Sequence, residues 1–290
     1  MKKFSLYIIA IVSAALFASC EKVIDLKVPA GEPVPYIDAW ITNKPGVQQI
    51  KFQRAVGYLD NTPPPVIADA QMTLTDLTLN KDYPFTYSNG AYSHDPGANI
   101  AIGVIGHEYK LTINWQGEVF EATDKLNRVA PIDSITYEFK NGKGGEKEGY
   151  YAKFYAVDLK GARDYYWIRT YRNGVLNQNV NEMWSIDGSY YEDADSDGFN
   201  FIVPIREGIT SGKKPYAKGD VVTVKMRGIS RDDWKFINML TEALSNGGLF
   251  AKVLANVPSN VTAANKANNK NKIYGWFGTV SETELSKKIE

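Results

Sequence analysis

The chain is poor in the residues that most site chemistry needs. It has one cysteine and two histidines in 290 residues. One thiol excludes an intrachain disulfide, a thiolate zinc site and an iron–sulfur centre. Two imidazoles leave little for a histidine-rich metal centre. Charge of one sign is also missing: 33 Lys+Arg stand against 33 Asp+Glu. Nucleic-acid binders normally carry a basic surplus, so that class is set aside. No apolar run reaches the ~18 residues of a transmembrane helix. Neither a Gly-x-Ser-x-Gly nucleophile elbow nor a P-loop occurs. What is present is a hydrophobic content of 44%, enough for a real core. The length fits two domains of roughly 100–200 residues, or one large β domain.

The N-terminus carries the clearest signal. Met1-Lys2-Lys3 is a short positive region, and residues 4–17 are apolar except for Ser5 and Ser13. The small residues Ala18-Ser19 follow, and then Cys20. This run is short for a bilayer span and suits a cleaved signal peptide. A cysteine directly after small residues has the form of a bacterial lipobox, with Phe17 where Leu is usual and Leu16 beside it. The expectation is a signal peptide over 1–19 and a lipidated Cys20. The plainer reading is a secretory signal with an incidental cysteine. At ~0.8 kcal/mol per buried CH₂, two acyl chains suffice for a stable anchor. Residues 20–35 contain Pro29, Pro33 and Pro35 and read as an extended tether. Loss of 1–19 removes Lys2 and Lys3 and leaves a slight acidic surplus.

The remaining chain reads as mainly β. Residues 36–42 and 47–56 are strand candidates, and Pro63-Pro64-Pro65 marks a loop. Residues 66–76 alternate, with Ala68, Ala70, Met72 and Leu74 on one face. Ser88-Asn89-Gly90 separates two short strands as a hairpin turn does. In 107–115, Tyr109, Leu111, Ile113 and Trp115 share a face, and Gln116-Gly117 turns the chain back. Strands at this spacing suggest an N-terminal Ig-like β-sandwich over 36–130. A second unit, 131–290, is expected as a β-sandwich with one helix. Its strand candidates are 132–140, 150–159, 163–171, 175–178, 199–205, 220–228 and 273–280. Asn173-Gly174 supplies a tight hairpin turn. Ser230-Arg231-Asp232-Asp233 fits a capping box at the start of a helix over 230–246. Trp234, Ile237, Leu240 and Leu244 follow at helical spacing, and Asn246-Gly247-Gly248 ends it.

Several segments together carry a resemblance. They are Ser19-Cys20-Glu21-Lys22-Val23-Ile24-Asp25-Leu26, Ala39-Trp40-Ile41-Thr42-Asn43, Val66-Ile67-Ala68-Asp69-Ala70 and residues 106–113. Ile132-Asp133-Ser134-Ile135, Ile229-Ser230-Arg231-Asp232-Asp233-Trp234, Pro258-Ser259-Asn260-Val261 and Tyr274-Gly275-Trp276-Phe277 complete the series. In this order they resemble domain-of-unknown-function family 4249, lipoproteins of the Bacteroidota. The resemblance implies no settled activity. It implies an outer-membrane lipoprotein, at the cell surface rather than the periplasmic face, encoded beside TonB-dependent receptors. One departure is that Lys22 interrupts the acidic cluster that often follows the cysteine in surface-exported lipoproteins.

Three features could carry chemistry. Asp193, Asp195 and Asp197, followed by Gly198, match the first half of a Ca²⁺-binding loop. Pro204 stands where an EF-hand needs Glu, so the alternatives are a β-loop Ca²⁺ site or an acidic turn. His94 and His107 flank a strand, either as a metal pair or as two loop histidines. The third feature is an aromatic stretch. Alternation puts Tyr165, Trp167, Arg169 and Tyr171 on one strand face and Tyr166 and Ile168 on the other. Trp184, Tyr190 and Tyr191 follow. One face must be core. The other is either an exposed platform for sugar rings or a partner, or covered by neighbouring structure. Arg169 is placed for cation–π packing. Asp133-Ser134-Ile135 also has the form of a bacterial O-glycosylation tripeptide.

These readings lead to a non-enzymatic surface lipoprotein that assists nutrient capture with a TonB-dependent receptor. No cofactor beyond possible Ca²⁺ is expected. A fimbria-like structural subunit, in which 273–280 would be a donated strand, is the alternative. A β-sandwich hydrolase is the third.

Overall fold

Alternating buried and exposed positions carry most of the chain into strands. The computed structural model describes residues 33–57, 60–178, 184–188, 197–245, 257–265 and 270–290. The first seven strands are β1 (Pro35–Thr42), β2 (Gln48–Arg54), β3 (Gln71–Asp76), β4 (Lys81–Ser88), β5 (Ala91–His94), β6 (Glu108–Trp115) and β7 (Glu118–Lys125). There follow β8 (Ile132–Lys140), β9 (Gly149–Ala156), β10 (Tyr165–Arg172), β11 (Val175–Leu176), β12 (Trp184–Asp187) and β13 (Val221–Ile229). The helix α1 (Arg231–Ser245), β14 (Thr262–Ala263) and β15 (Tyr274–Lys288) end the order. The protein is mainly β, with one α-helix among the described residues.

The turns fold as their residues dictate. Asn89-Gly90, Gln116-Gly117 and Asn173-Gly174 have positive φ at both positions. A two-residue hairpin needs that conformation to match the twist of its strands. These turns join β4 to β5, β6 to β7 and β10 to β11.

Thirteen strands form one mixed sheet in the order β11-β10-β13-β15-β1-β2-β5-β4-β3-β6-β7-β14, with β12 also paired to β10. β8 and β9 form a separate pair. The arrangement is consistent with a β-sandwich. The last strand joins its parts. Residues 274–280 of β15 run parallel to β1, and residues 281–288 run antiparallel to β13. The Glu282 N–H donates to Asn43 Oδ1 at 2.9 Å, across 239 residues of chain.

Pro33–Val56 and Thr62–Glu290 belong to one compact unit, which holds three buried clusters. The first gathers β1 to β7 with Val261, Ile273 and Phe277. The second gathers β8, β9, β10 and β13 with Phe201, Ile205, Ile209 and Tyr216. The third packs Tyr165, Trp167, Ile229, Ile237 and Val280 with Trp40, Trp234 and Phe236. Each fully buried Leu or Phe contributes about 1.5–3 kcal/mol. β15 supplies Phe277 to the first cluster, Val280 to the third, and Leu285 against the second.

Two expected strands differ. In 66–76 the continuous strand begins only at Gln71, and Val66 makes a single bridge to Gln53. Residues 199–205 bridge to Val157 at Asn200 and then turn. Pro204 has no N–H to extend a ladder. The chain coils instead, with Arg206 N–H donating to the Ile202 carbonyl at 3.1 Å and Gly208 N–H to that of Pro204 at 2.8 Å. Phe201, Ile205 and Ile209 then share a face and are buried.

Gly275 has φ +89°, and a Cβ there would fall on the Ile37 carbonyl oxygen. Gly219 has φ +94° with nothing near. Gly275→Ala is expected to destabilise by about 3 kcal/mol or more, from conformational strain plus overpacking. Gly219→Ala is expected to cost about 1–2 kcal/mol, from conformation alone. Urea denaturation midpoints of the two variants check the difference.

Candidate functional site

The aromatic strand β10 divides its side chains as its alternation requires. Tyr166 and Ile168 enter the second cluster. The Tyr166 hydroxyl donates to Asp158 Oδ1 at 2.6 Å, and burial, with that carboxylate, pushes the phenol far above its ordinary value. On the opposite face Tyr165 and Trp167 are only 6% and 7% exposed. The Trp234 ring of α1 lies 5.4 Å from Tyr165, and Trp40 of β1 lies 5.0 Å from Trp167. Of the two alternatives for this face, the covered one holds at these two residues, and no open platform lies there. An amphipathic helix must bury its apolar stripe, and this face of β10 is where it does so.

Farther along β10 the same face becomes charged. Trp167 stands opposite Arg227 of β13, and Arg169 stands opposite Lys225. The next strand places Glu282 beside Arg227 and Glu284 beside Lys225. Arg227 Nε donates to Glu282 Oε2 at 2.8 Å. Lys225 Nζ lies 3.4 Å from Glu282 Oε1 and 2.7 Å from Glu284 Oε2. Burial works to raise the Glu282 carboxyl, but Arg227 and Lys225 outweigh it and hold it below its ordinary value.

Trp167 carries two cations on its ring. The Arg169 guanidinium is 4.9 Å from the ring centre and that of Arg227 is 5.2 Å away. The expected cation–π packing of Arg169 is therefore present. Lys225 lies over Tyr171 at 5.4 Å. Arg169 Nε and Trp167 Nε1 are both buried and have no hydrogen-bond partner among the described residues. Burial, then the like charge of Arg227, lower the Arg169 pKa. Asp38 and Glu282 oppose that shift through space.

The other expected site residues lie elsewhere. Trp184 packs on Gly208 and donates its indole N–H to the Gly208 carbonyl at 3.1 Å. It borders a cleft of about 180 Å³ with Lys140, Tyr151, Lys153 and Glu207. A larger cleft, about 400 Å³, lies beside the β10–β11 turn, lined by Arg172, Val175, Asn177, Lys214 and Tyr216 among others. Tyr190, Tyr191, Asp193 and Asp195 fall outside the described residues, as does Cys20. Asp197 Oδ2 accepts the Gly161 N–H at 2.7 Å. Among the described residues no three His, Cys, Asp or Glu side chains form a metal-binding group. His107 Nδ1 pairs with Asp76 Oδ2 at 2.8 Å, and His94 Nδ1 with the Pro84 carbonyl at 2.8 Å. Burial tends to raise the Asp76 carboxyl, but the His107 bond and the N–H groups of Leu79 and Thr78 hold it low. Ser134 lies within β8.

Sequence reasoning missed a buried polar knot at the start of α1. The capping box is formed: Ser230 N–H donates to Asp233 Oδ2 at 3.0 Å, and Asp233 N–H to Ser230 Oγ at 3.2 Å. Asp233 also accepts the Trp276 indole N–H at 2.6 Å. Asp124 of β7 accepts the Thr279 N–H at 2.6 Å and the Thr279 hydroxyl at 2.8 Å. Asn260 pairs with the Phe277 backbone through both of its amide atoms, at 2.6 and 3.0 Å. Gly278 lets Trp40 lie against the strand. The signal that could have found this knot is the set of segments in the family resemblance. Ser230, Asp233, Asn260, Trp276 and Trp40 come from four of them.

These elements define a mainly β protein whose single described helix is tied by a buried carboxylate to the last strand of a large mixed sheet. The chain belongs to the family described as a domain of unknown function, DUF4249, whose model matches residues 21–286. No curated protein matches the chain.

Burial, and then Asp124, push the Asp233 carboxyl well above the ordinary carboxylate range. Burial also raises Asp124. A carboxyl with a raised folded-state pKa binds its proton more tightly folded than unfolded. Its contribution therefore weakens as pH rises from the ordinary carboxylate range through the raised value. Asp124→Asn keeps an oxygen for Thr279 and removes one of the two like charges. Between about pH 4 and pH 8 the unmodified protein is expected to lose about 1 kcal/mol or more relative to this variant. Thermal melts of both proteins across that range check it.

Proposed function

We propose that the protein is a lipid-anchored, non-enzymatic binding protein of the outer membrane. In this reading Cys20 carries the acyl chains and residues 20–35 form the tether. The β body stands at the cell surface, where it captures a nutrient and serves a TonB-dependent receptor. The observation that carries the reading is positional. Cleavage at the lipobox would make Cys20 the first residue of the mature chain, and the family match begins at the next residue, Glu21. The cleft of about 400 Å³ beside Arg172 and Tyr216 supports a binding role. It falls within the ~300–1,000 Å³ typical of small-molecule sites, and it rests on a paired strand and its hairpin.

Two measurements test this. Metabolic labelling with a palmitate analogue is expected to mark the unmodified chain and not Cys20→Ser, and the variant should leave the membrane fraction. Affinity capture from native membranes under nutrient limitation should recover a β-barrel receptor. Recovery of self-polymers alone would favour the fimbria-like subunit. Labelling that persists in Cys20→Ser would defeat the anchor assignment.

A further inference from the structure

We infer that Arg169 and Trp167 form a binding site for an oxyanion that presents two oxygens to the guanidinium fork, as a carboxylate or a phosphate does. The inference rests on the reading of the protein as a binding protein and gives it a site apart from the cleft beside Arg172 and Tyr216.

The geometry starts from the ledger of charges on one sheet face. Its cations are Arg169, Lys225 and Arg227, and its strand-borne anions are Asp38, Glu282 and Glu284. Arg227 is bonded to Glu282, and Lys225 to Glu282 and Glu284. Glu282 and Glu284 are thus taken by the two cations of β13, while Asp38 acts on Arg169 through space without an ion pair among the described residues. Arg169 has no ion pair and no hydrogen bond from its Nε among the described residues. Its neighbour Trp167 holds a second buried N–H without an acceptor.

Two unsatisfied donors next to each other are expensive. A buried polar group without a partner costs about 1–3 kcal/mol, more when charged. The second cation over the Trp167 ring, Arg227, adds like-charge repulsion. Cation–π attraction, about 0.5–1 kcal/mol at exposed sites and about 2 or more when desolvated, offsets part of that cost but supplies no hydrogen-bond acceptor to either donor. Both orphan groups are donors, so a ligand that relieves them must be an acceptor, and beside two guanidinium groups it must be an anion. A planar two-oxygen group matches the fork of arginine. Both residues are held in register with β13, and Trp167 with β12 as well, which fixes the backbone beneath them.

The test follows the Arg169 Nε–H resonance of the full chain, in detergent, during titration. Acetate, citrate and inorganic phosphate are the probes, each against chloride of matched ionic strength. A saturable shift with acetate or citrate supports a carboxylate ligand, and one with phosphate alone supports a phosphate ligand. No saturable shift with any probe overturns the site. Arg169→Gln is expected to weaken binding about tenfold or more, with Arg169→Lys in between. Arg54 is stacked over Trp115 at 5.6 Å but bonded to the Pro33 carbonyl, so Arg54→Gln is the control and should bind normally. Equal loss in both Gln variants would also overturn the site. If Arg169→Gln fails to fold, the resonance of the unmodified protein still decides. An absent anion response with the receptor still captured defeats only this inference. An anion response without a receptor defeats only the proposed function.

Discussion

The Asp233 carboxylate is the point on which the arrangement of helix and sheet depends. It caps the first turn of α1 through Ser230 and receives the Trp276 N–H from β15. A helix needs acceptors for its first N–H groups, and an indole buried in a strand needs one too. One side chain answers both. The Asp124 carboxylate does the same for Thr279, two strand positions beyond Phe277. The helix is thus seated by polar contacts at one end and by Phe236 stacked on Trp276 at 4.4 Å. Two carboxyl groups in so little water carry an electrostatic cost, which the bonds to them offset. Buried polar networks repay that cost only when every member is satisfied, and here the acids accept several donors each.

The covered and uncovered parts of the β10 face follow from the position of α1. Where the helix lies, Tyr165 and Trp167 are core. Beyond it, polar and charged residues continue the same face, and β13 and β15 pair their charges row by row. Glu282 is nearly buried yet ionised, because two cations surround it. Arg169 sits at the end of this row, after the carboxylates have been taken. The contrast between neighbours is that Arg227 is bonded to a carboxylate and Arg169 is not, among the described residues.

Much of this was legible in the residues. Asn89-Gly90 and Asn173-Gly174 announce their hairpins because few residues accept positive φ. Ser230 and Asp233 announce the helix start because a capping box is local, three residues wide. The two faces of β10 follow from a period of two. What was not legible depends on partners far away in the chain. Nothing near Trp167 says that a helix 70 residues later will cover it. Asp124 meets Thr279 across 155 residues, and no spacing rule reaches that far. Residues 199–205 misled because an apolar run looks the same whether it pairs or coils, and Pro204 decided between them. Family segments such as Ser230–Trp234 and the Tyr274-Gly275-Trp276-Phe277 stretch marked the polar knot without saying what it was.

The parallel pairing of β15 with β1 sets an order of assembly. The first strand to emerge during synthesis lies in the sheet next to the last one, and its edge stays unpaired on that side until the C-terminus arrives. Loop closure over so long a separation is slow compared with forming the hairpins between. The hairpins β4–β5 and β6–β7 can zip early, while the helix and the Trp276 knot must wait. A chain cut short anywhere before residue 274 would leave β1 with a bare edge, the kind of surface that recruits strands from other molecules. Completion of the chain, rather than the stability of any one half, is the event that closes this edge.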